Sequence, residues 1–525
     1  VIVDRTEDAP SWNSVLVQRP ILIAIGVGLL SLGLSLWELA ASNVISIYDS
    51  GVYVAASIHF VSGALPYRDF TFVQPPGIVL LLSPVALLSR IFGTYNGLIL
   101  ARFLSCVVAA LNASLIAWFV RRRGILAMMI AGGGLAVIPV AVYVNSSVKI
   151  DSYCLFFVLL GSIFLLSRTN TADQGTTRTL VIGGALFGIA GLMKLWAAFP
   201  FIALVVCLIP LYRRRVTIFI GSAFGVFTLV CLPFFVSSPA RFLSEVFVEQ
   251  LNRKATRVDS GNVSQRLVGL TGFSRTSLSP TIDETLFAFL LLIALTYVAF
   301  RLQPRIQAFE AYLLMCAVIV VSGLLLAHET FIYYGYFAEP FLLGLLGVVF
   351  ARLIPSIRRS VSRFGISEDV QRVSQYLLFV AGITLLLSLS VWTADYYSGY
   401  ASSFGYPGNL KSTIDQEIPV GSCVVYDVVG VGVYANRFIS NDPNCPNVVD
   451  PGAEWMAWGY ELIPPATAFV SEWRSYFSSA QYVVFVQPNG YNVPWNQSLR
   501  TWFHQHYVLK HSARDLLIFQ NRQPS

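Results

Sequence analysis

Charge is what this sequence has least of. Lys, Arg, Asp and Glu together make up 12% of its 525 residues, and hydrophobic residues make up 55%. A soluble domain is about 25% charged, so a wholly soluble chain is excluded and a multi-span membrane protein is expected. Metal-type spacing is also missing. There is no CxxC pair and no His-rich run, which removes a zinc site. No sequence repeat or low-complexity tract occurs. Cysteines number seven, and Cys106, Cys154, Cys207, Cys231 and Cys316 lie in apolar runs, where the residue serves as a small buried hydrophobe. Cys423 and Cys445 lie in the polar C-terminal part and suit one disulfide in an oxidising compartment.

The first residue is Val1, so a processed or trimmed start is expected. Residues 1–20 are too polar for the apolar core of a secretory signal, and the run 21–41 reads as a retained helix. A span needs roughly 20 apolar residues, fewer inside a bundle. Candidate spans are 21–41, 96–120, 125–147, 152–168, 179–195, 197–212, 216–236, 286–302, 309–328, 338–352 and 376–394. The net charge of +7 is gathered into short arginine tracts, a topology signal rather than a nucleic-acid one. Arg121 to Arg123, Arg213 to Arg215, Arg301 with Arg305, and the arginines 352–363 all fall inside the cell only if 77–92 does not cross. That stretch is short and contains Pro84, so it reads as an interfacial or re-entrant helix.

The expected fold is an α-helical integral membrane protein of about eleven spans, with a cytoplasmic N-terminus, and a small extracytoplasmic α/β domain at the C-terminus. The division is a membrane part, 1–394, and a tail, 395–525. The exported segments are 42–95, the corner 148–151, the loop 237–285, the corner around His328 to Glu339, and the tail. In the tail, 423–429, 481–487 and 515–520 read as strands. Residues 467–479 and 495–507 read as helices.

The functional candidates collect on that outer side. The polar stretch 43–77, broken at Gln74-Pro75-Pro76-Gly77, is unsuited to lipid because irregular backbone there leaves amides unsatisfied. Asp49 follows the first span and suits a general base toward a hydroxyl, or a cation ligand; as a structural alternative it caps the amphipathic run Gly51–Ser62. Asp69, with Arg68 and Tyr67 beside it, is a candidate for binding substrate; a salt bridge with Arg68 or a turn contact is the alternative. Asp151 either caps the span 152–168 or faces Asp49 across a site, with Lys149 there to neutralise it or bind an anion. Lys194, near the outer end of its span, is costly to bury and would suit a phosphate at headgroup depth; snorkelling is the alternative. Arg253 and Lys254 run against the positive-inside trend and would bind an anion. His328, Tyr333, Tyr334 and Tyr336 form another outer corner, an aromatic belt or a sugar-stacking surface.

An aspartate just after the first span, then Gly63 to Phe70 as G-x-L-P-Y-x-D-F and Gln74 to Gly77 as Q-P-P-G, resembles the polytopic C-class (GT-C) glycosyltransferases. That class includes the protein O-mannosyltransferase-like enzymes and the aminoarabinose transferase of lipid A. K-I-D-S-Y at 149–153, M-K-L-W at 193–196 and Y-Y-G-Y-F at 333–337 follow in order. The tail, with G-S-C-V-V-Y-D, A-N-R-F and N-C-P, is similar to actinobacterial members. The resemblance implies a polyprenyl-phosphate sugar donor, inversion at the anomeric carbon, and transfer on the outer face of the plasma (inner) membrane. Mannose or arabinofuranose would pass to a cell-envelope glycan or glycolipid. Carried over by position, Asp49 is the base, Lys194, Arg253 and Lys254 hold the donor phosphate, and Asp69 and Asp151 shape the site. Many relatives have two adjacent acidic residues where Asp49 is followed here by Ser50, and some have histidine at the glycine of Y-Y-G-Y-F. Metal use therefore stays open; a divalent cation would sit on Asp49 and Asp151. The rival class is a transporter or flippase of a lipid-linked sugar, which tends to carry mid-membrane charge on broken helices. A non-catalytic envelope scaffold leaves Asp49 and Lys194 unexplained.

Overall fold

The computed structural model describes the chain apart from residues 1–19, 42–46, 167–176, 253–262, 275, 328–330, 363–380, 397–409, 459–464, 487–489, 491, 514–515 and 523–525. It is a helical bundle carrying a small C-terminal sheet. Helices run over Pro20–Ala41, Thr94–Phe119, Ile150–Leu166, Thr177–Met193, Ala198–Tyr212, Val216–Ser237, Ile282–Leu302, Ala308–Leu326 and Gly335–Ser362, and a further one over 381–396. Among the described residues, six helical stretches are long and apolar enough to cross a bilayer, or seven with one bent pair. The bent pair is Ile125–Val137 with Pro139–Asn145, at 61°. Pro139 cannot continue the amide ladder and forces Ile138 out of the helical region, to ψ 132°. The Val140 N–H after the break donates instead to the Gly272 carbonyl at 3.1 Å, which meets the requirement that backbone groups in lipid find partners within the protein.

The helix connections sort the charges into two ends. The bent helix starts beside Arg123 and ends beside Lys149. Ala308–Leu326 starts beside Glu310, which holds Arg123 and Arg352, and Gly335–Ser362 runs back from Tyr334 to Arg352. Arg123, Arg305 and Arg352 thus share one end, and Lys149, Asp151 and Tyr334 share the other. The 16-residue helix Gly77–Phe92 belongs to the second end at both of its termini. A Cβ on Gly77 would lie 2.5 Å from the carbonyl of Leu192, two residues before Lys194. After its last turn, the Tyr95 N–H donates to Asn436 of the tail at 2.7 Å.

The tail docks on this same end. Its helix Val429–Tyr434 lies against Ile47–Val61 so closely that a Cβ on Gly51 would fall 2.1 Å from the Gly430 Cα. Its sheet has the order β1 (Val424–Tyr426), β2 (Tyr482–Phe485), β4 (Leu516–Asn521), β3 (Tyr507–Ala513), with β1 parallel to β2 and the other pairs antiparallel. Three of these strands and the helices Thr467–Ser479 and Gln497–His506 lie where the sequence pattern puts them, whereas Leu410–Glu417, Val429–Tyr434 and Pro451–Trp458 are helices it does not mark. The fourth strand, β3, is unmarked too: the helix expected over 495–507 ends at His506, and the chain turns straight into an edge strand. That strand exposes Val508, Leu509 and Lys510 and carries His511, the charged, unpatterned character of a guarded sheet edge. Cys423 and Cys445 are disulfide-bonded, tying the start of β1 to the loop that leads to Asp450.

A candidate active site between the bundle and the tail

Two helices begin with a carboxylate in their first turn: Asp49 in Ile47–Val61 and Asp151 in Ile150–Leu166. The free amides there favour negative charge. Asp49 lies inside the turn, since the helix starts earlier than the run Gly51–Ser62. The Val148 N–H donates to Ser50 Oγ at 2.9 Å, which fastens the 148–149 corner to the first of these helices. Lys194 follows the last turn of Thr177–Met193 in extended conformation, where the helix stops and a short 3-10 turn begins. A cation is favoured at that pole.

These four charges form two pairs, crossed relative to the expectation. Lys149 Nζ pairs with Asp49 rather than Asp151. Lys194 Nζ pairs with Asp151 at 2.8 Å. Each ammonium also lies over aromatic rings: Lys149 is 4.0 Å from the centroid of Tyr333, and Lys194 is 3.6 Å from Trp196 and 4.7 Å from Tyr334. Burial alone would lower the Lys149 pKa. The Asp49 carboxylate, with Tyr143 and Asp151, outweighs it and holds the group above the ordinary lysine value. A metal ion on Asp49 and Asp151 would have to displace an ammonium from each. No group of three or more metal-ligating side chains exists among the described residues.

All four line one cavity of about 340 Å3, within the roughly 300–1,000 Å3 of small-molecule sites. Tyr48, Tyr53, Gln74, Tyr143, Phe331, Tyr333 and Tyr334 complete the bundle side, and Asp450, Gly452, Ala453 and Asn492 come from the tail. Tyr48 joins the two halves. Its hydroxyl donates to Asp450 Oδ1 at 2.7 Å and accepts from the Gly452 N–H at 2.8 Å. Asp450 in turn accepts the Ala453 N–H at 3.0 Å. Asp450 stands in an Asp-Pro-Gly run, and nothing in the sequence pattern marks it, Tyr48 or Asn492 as site residues beyond the place of Tyr48 next to Asp49.

The other candidates fall elsewhere. Tyr67, Arg68 and Asp69 do not line the cavity; they build the loop beside it. Asp69 accepts the Leu65 N–H at 2.7 Å and pairs with Arg68 at 2.7 Å on the surface. The Arg68 guanidinium holds its carboxyl below the usual range. Tyr67 sits at φ 68°, an uncommon conformation for a non-glycine residue, and its buried hydroxyl donates to the Gln74 carbonyl at 2.6 Å. The loop is braced by the segment after Ser237: Glu245 accepts the Phe72 N–H at 2.8 Å, and Arg241 reaches Thr71 at 3.0 Å. Tyr336 points into the bundle, where Asn112 donates to its hydroxyl at 3.2 Å. Arg253, Lys254 and His328 lie outside the described residues.

Residues 72–328, a little under half of the chain, match the model of glycosyltransferase family 87. No curated protein matches the sequence. Among solved structures, the chain is similar to ArnT from Cupriavidus metallidurans bound to undecaprenyl phosphate. Identity is 16% and the TM-score 0.56, over 95% of this chain and 97% of that one. It is also similar to the oligosaccharyltransferase AglB from Archaeoglobus fulgidus in complex with an inhibitory peptide and a dolichol-phosphate. Identity is 16% and the TM-score 0.55, over 98% of this chain and 75% of that one. At such identities the likeness is one of fold.

Proposed function

We propose that this chain is a GT-C glycosyltransferase that transfers mannose or arabinofuranose from a polyprenyl phosphate to an envelope glycan or glycolipid, with inversion, in the cavity around Asp49; the family 87 match over 72–328 and the likeness of fold support this reading. The observation that carries the reading is that Asp49, Lys149, Asp151 and Lys194 open onto one cavity. Two of the similar structures hold polyprenyl phosphates, and two ammonium groups beside a carboxylate are what such a donor needs. The cavity has room for a sugar and a phosphate; the prenyl chain stays in lipid.

The donor phosphate draws Lys194, and Lys149 with it, away from their carboxylates. Asp49 then accepts the proton of the acceptor hydroxyl. The hydroxyl oxygen attacks the anomeric carbon from the face opposite the phosphate. The bond from that carbon to the phosphate oxygen breaks, and polyprenyl phosphate leaves with the electron pair. The lysines stabilise its growing charge in a site screened from bulk water. Tyr143, Phe331 and Tyr333 offer ring faces to the sugar. In this scheme residues 1–394 hold the chemistry, residues 395–525 close over it, and the cavity faces the extracytoplasmic side with the N-terminus in the cytoplasm. A flippase would need a path through the membrane's middle, whereas these charges stand at helix ends.

The test is to incubate the purified chain with radiolabelled polyprenyl-phosphate mannose or arabinofuranose and envelope acceptors. Labelled product is expected from the wild type and not from Asp49→Asn, which should still bind donor. Full turnover in that variant removes Asp49 as base. A cysteine placed near Arg122 should resist an impermeant thiol reagent in intact cells; labelling there would reverse the topology.

A further inference from the structure

The arginine end of the bundle holds a second cavity, of about 500 Å3, lined by Arg123, Gln303, Pro304, Arg305, Ile306 and Gln307. Its walls are fixed from beneath. Buried Glu310 holds Arg123 at 2.5 Å and buried Arg352 at 2.5 Å. Arg352 in turn donates to the Arg305 carbonyl at 2.8 Å, and Gln303 Nε2 donates to the Arg352 carbonyl at 2.8 Å. The turn 303–307 is thereby pinned while the Arg305 side chain remains exposed. Among the described residues Arg305 makes no ion pair. Arg123, Arg305 and Arg352 therefore carry three positive charges against the single negative charge of Glu310. Apolar side chains stand beside the cavity: Leu302 is 52% exposed and Ile306 51%.

We propose that this cavity binds the phosphate of an anionic phospholipid, with Arg123 and Arg305 on the headgroup and Leu302 and Ile306 along an acyl chain. The positive-inside tendency explains why arginines gather at one end. It does not explain why two of them line a concave site with no carboxylate in its described lining, the neighbouring Glu310 being already shared by two guanidiniums. Basic pockets between spans are the known form of headgroup sites, and each arginine near the surface contributes attraction worth about fivefold in affinity. The exposed apolar pair favours a lipid over a free phosphate ion.

Native mass spectrometry of the full-length protein in detergent tests this, with phosphatidylglycerol, phosphatidylcholine and inorganic phosphate as separate probes. Phosphatidylglycerol should be retained at least about fivefold better than phosphatidylcholine, and Arg305→Gln should cut that preference about fivefold. This variant leaves the Glu310 cluster whole; Arg123→Gln serves as the second. Equal retention of the two lipids, or a preference unchanged in both variants, overturns the proposal. Displacement of phosphatidylglycerol by an equal concentration of inorganic phosphate assigns the cavity to free phosphate and overturns the lipid reading.

Discussion

The two ends of the bundle use the same kinds of charge in different ways. At the arginine end, Glu310 and Arg352 are fully buried, and one carboxylate is gripped by two guanidinium forks. At the cavity end, two carboxylates each face one lysine, and the Asp49 side chain keeps 25% of its surface exposed. Arginine offers a rigid fork that matches a carboxylate, whereas lysine is a point charge on a flexible stem. The first arrangement locks helices 308–326 and 335–362 together. The second can give up its cation when a stronger anion arrives. The two ends thus differ in cation type and in the exposure of the Asp49 and Glu310 carboxylates, rather than in distance.

That contrast is broken most directly by two substitutions. Asp49→Asn should lower kcat by about 10^2–10^4-fold, the usual share of a general base, and should lower the thermal midpoint less than Glu310→Ala does, because the amide oxygen still accepts from Lys149 and Asp49 is partly exposed. Glu310→Ala should leave kcat per folded molecule intact but cost about 3–5 kcal/mol of stability, since it strands buried charge. Thermal unfolding of both variants in one detergent decides the matter. Equal loss of stability would mean that the two ends are built alike. Lys194→Met comes next: on the proposed mechanism it removes a charge-assisted contact to the donor phosphate, and it should then raise the donor KM roughly tenfold to a hundredfold. Lys194→Arg should restore only part of this, because a fork does not fit where a point charge sits between Asp151 and two rings.

Much of this was legible beforehand, for identifiable reasons. Apolar length and arginine tracts are properties of single segments, so the described parts of the candidate spans fall largely on helices; six or seven of these are long and apolar enough to cross, and Gly77–Phe92 is grouped with Ile150–Leu166 and Thr177–Met193 as shorter apolar helices. Asp49, Asp151 and Lys194 were visible because charge is rare in this chain. The pairing was not visible. Whether Lys149 meets Asp49 or Asp151 depends on Ser50 anchoring the Val148 amide, a contact 98 residues apart in sequence. The Tyr48–Asp450 link spans 402 residues, and neither partner carries a local pattern. The Glu310 cluster was hidden because its carboxylate reads simply as a helix-start residue, which it also is. It accepts the Gln307 N–H at 2.8 Å.

His59 supplies a smaller effect, on the seam between the cavity loop and the tail. Its ring lies 5.9 Å from Phe70 and 4.9 Å from Phe438, and burial lowers its pKa to about 4. A histidine kept neutral in the fold costs nothing above its ordinary value of 6.5. As pH falls from there toward about 4, the released form takes up the proton first, and docking of the tail weakens. Proteolytic susceptibility of the tail in the full-length protein should therefore rise over that interval. His59→Phe should flatten the dependence, and an unchanged pH profile in this variant would move the cause elsewhere.

The smallest effect belongs to a third ion pair, Arg68 with Asp69, which shares the cavity end without sharing the cavity. Arg68 leaves 49% of its side chain in solvent, and exposed pairs contribute little to stability. Arg68→Ala should therefore leave the thermal midpoint almost unchanged and the donor KM where it was, because Asp69 still closes its turn through the Leu65 amide. Asp69→Ala should do more, since it opens that turn beside Tyr67 and Gln74. A donor KM that rises in Arg68→Ala as much as in Lys194→Met would place Arg68 on the substrate and erase the line between charge that binds and charge that shapes.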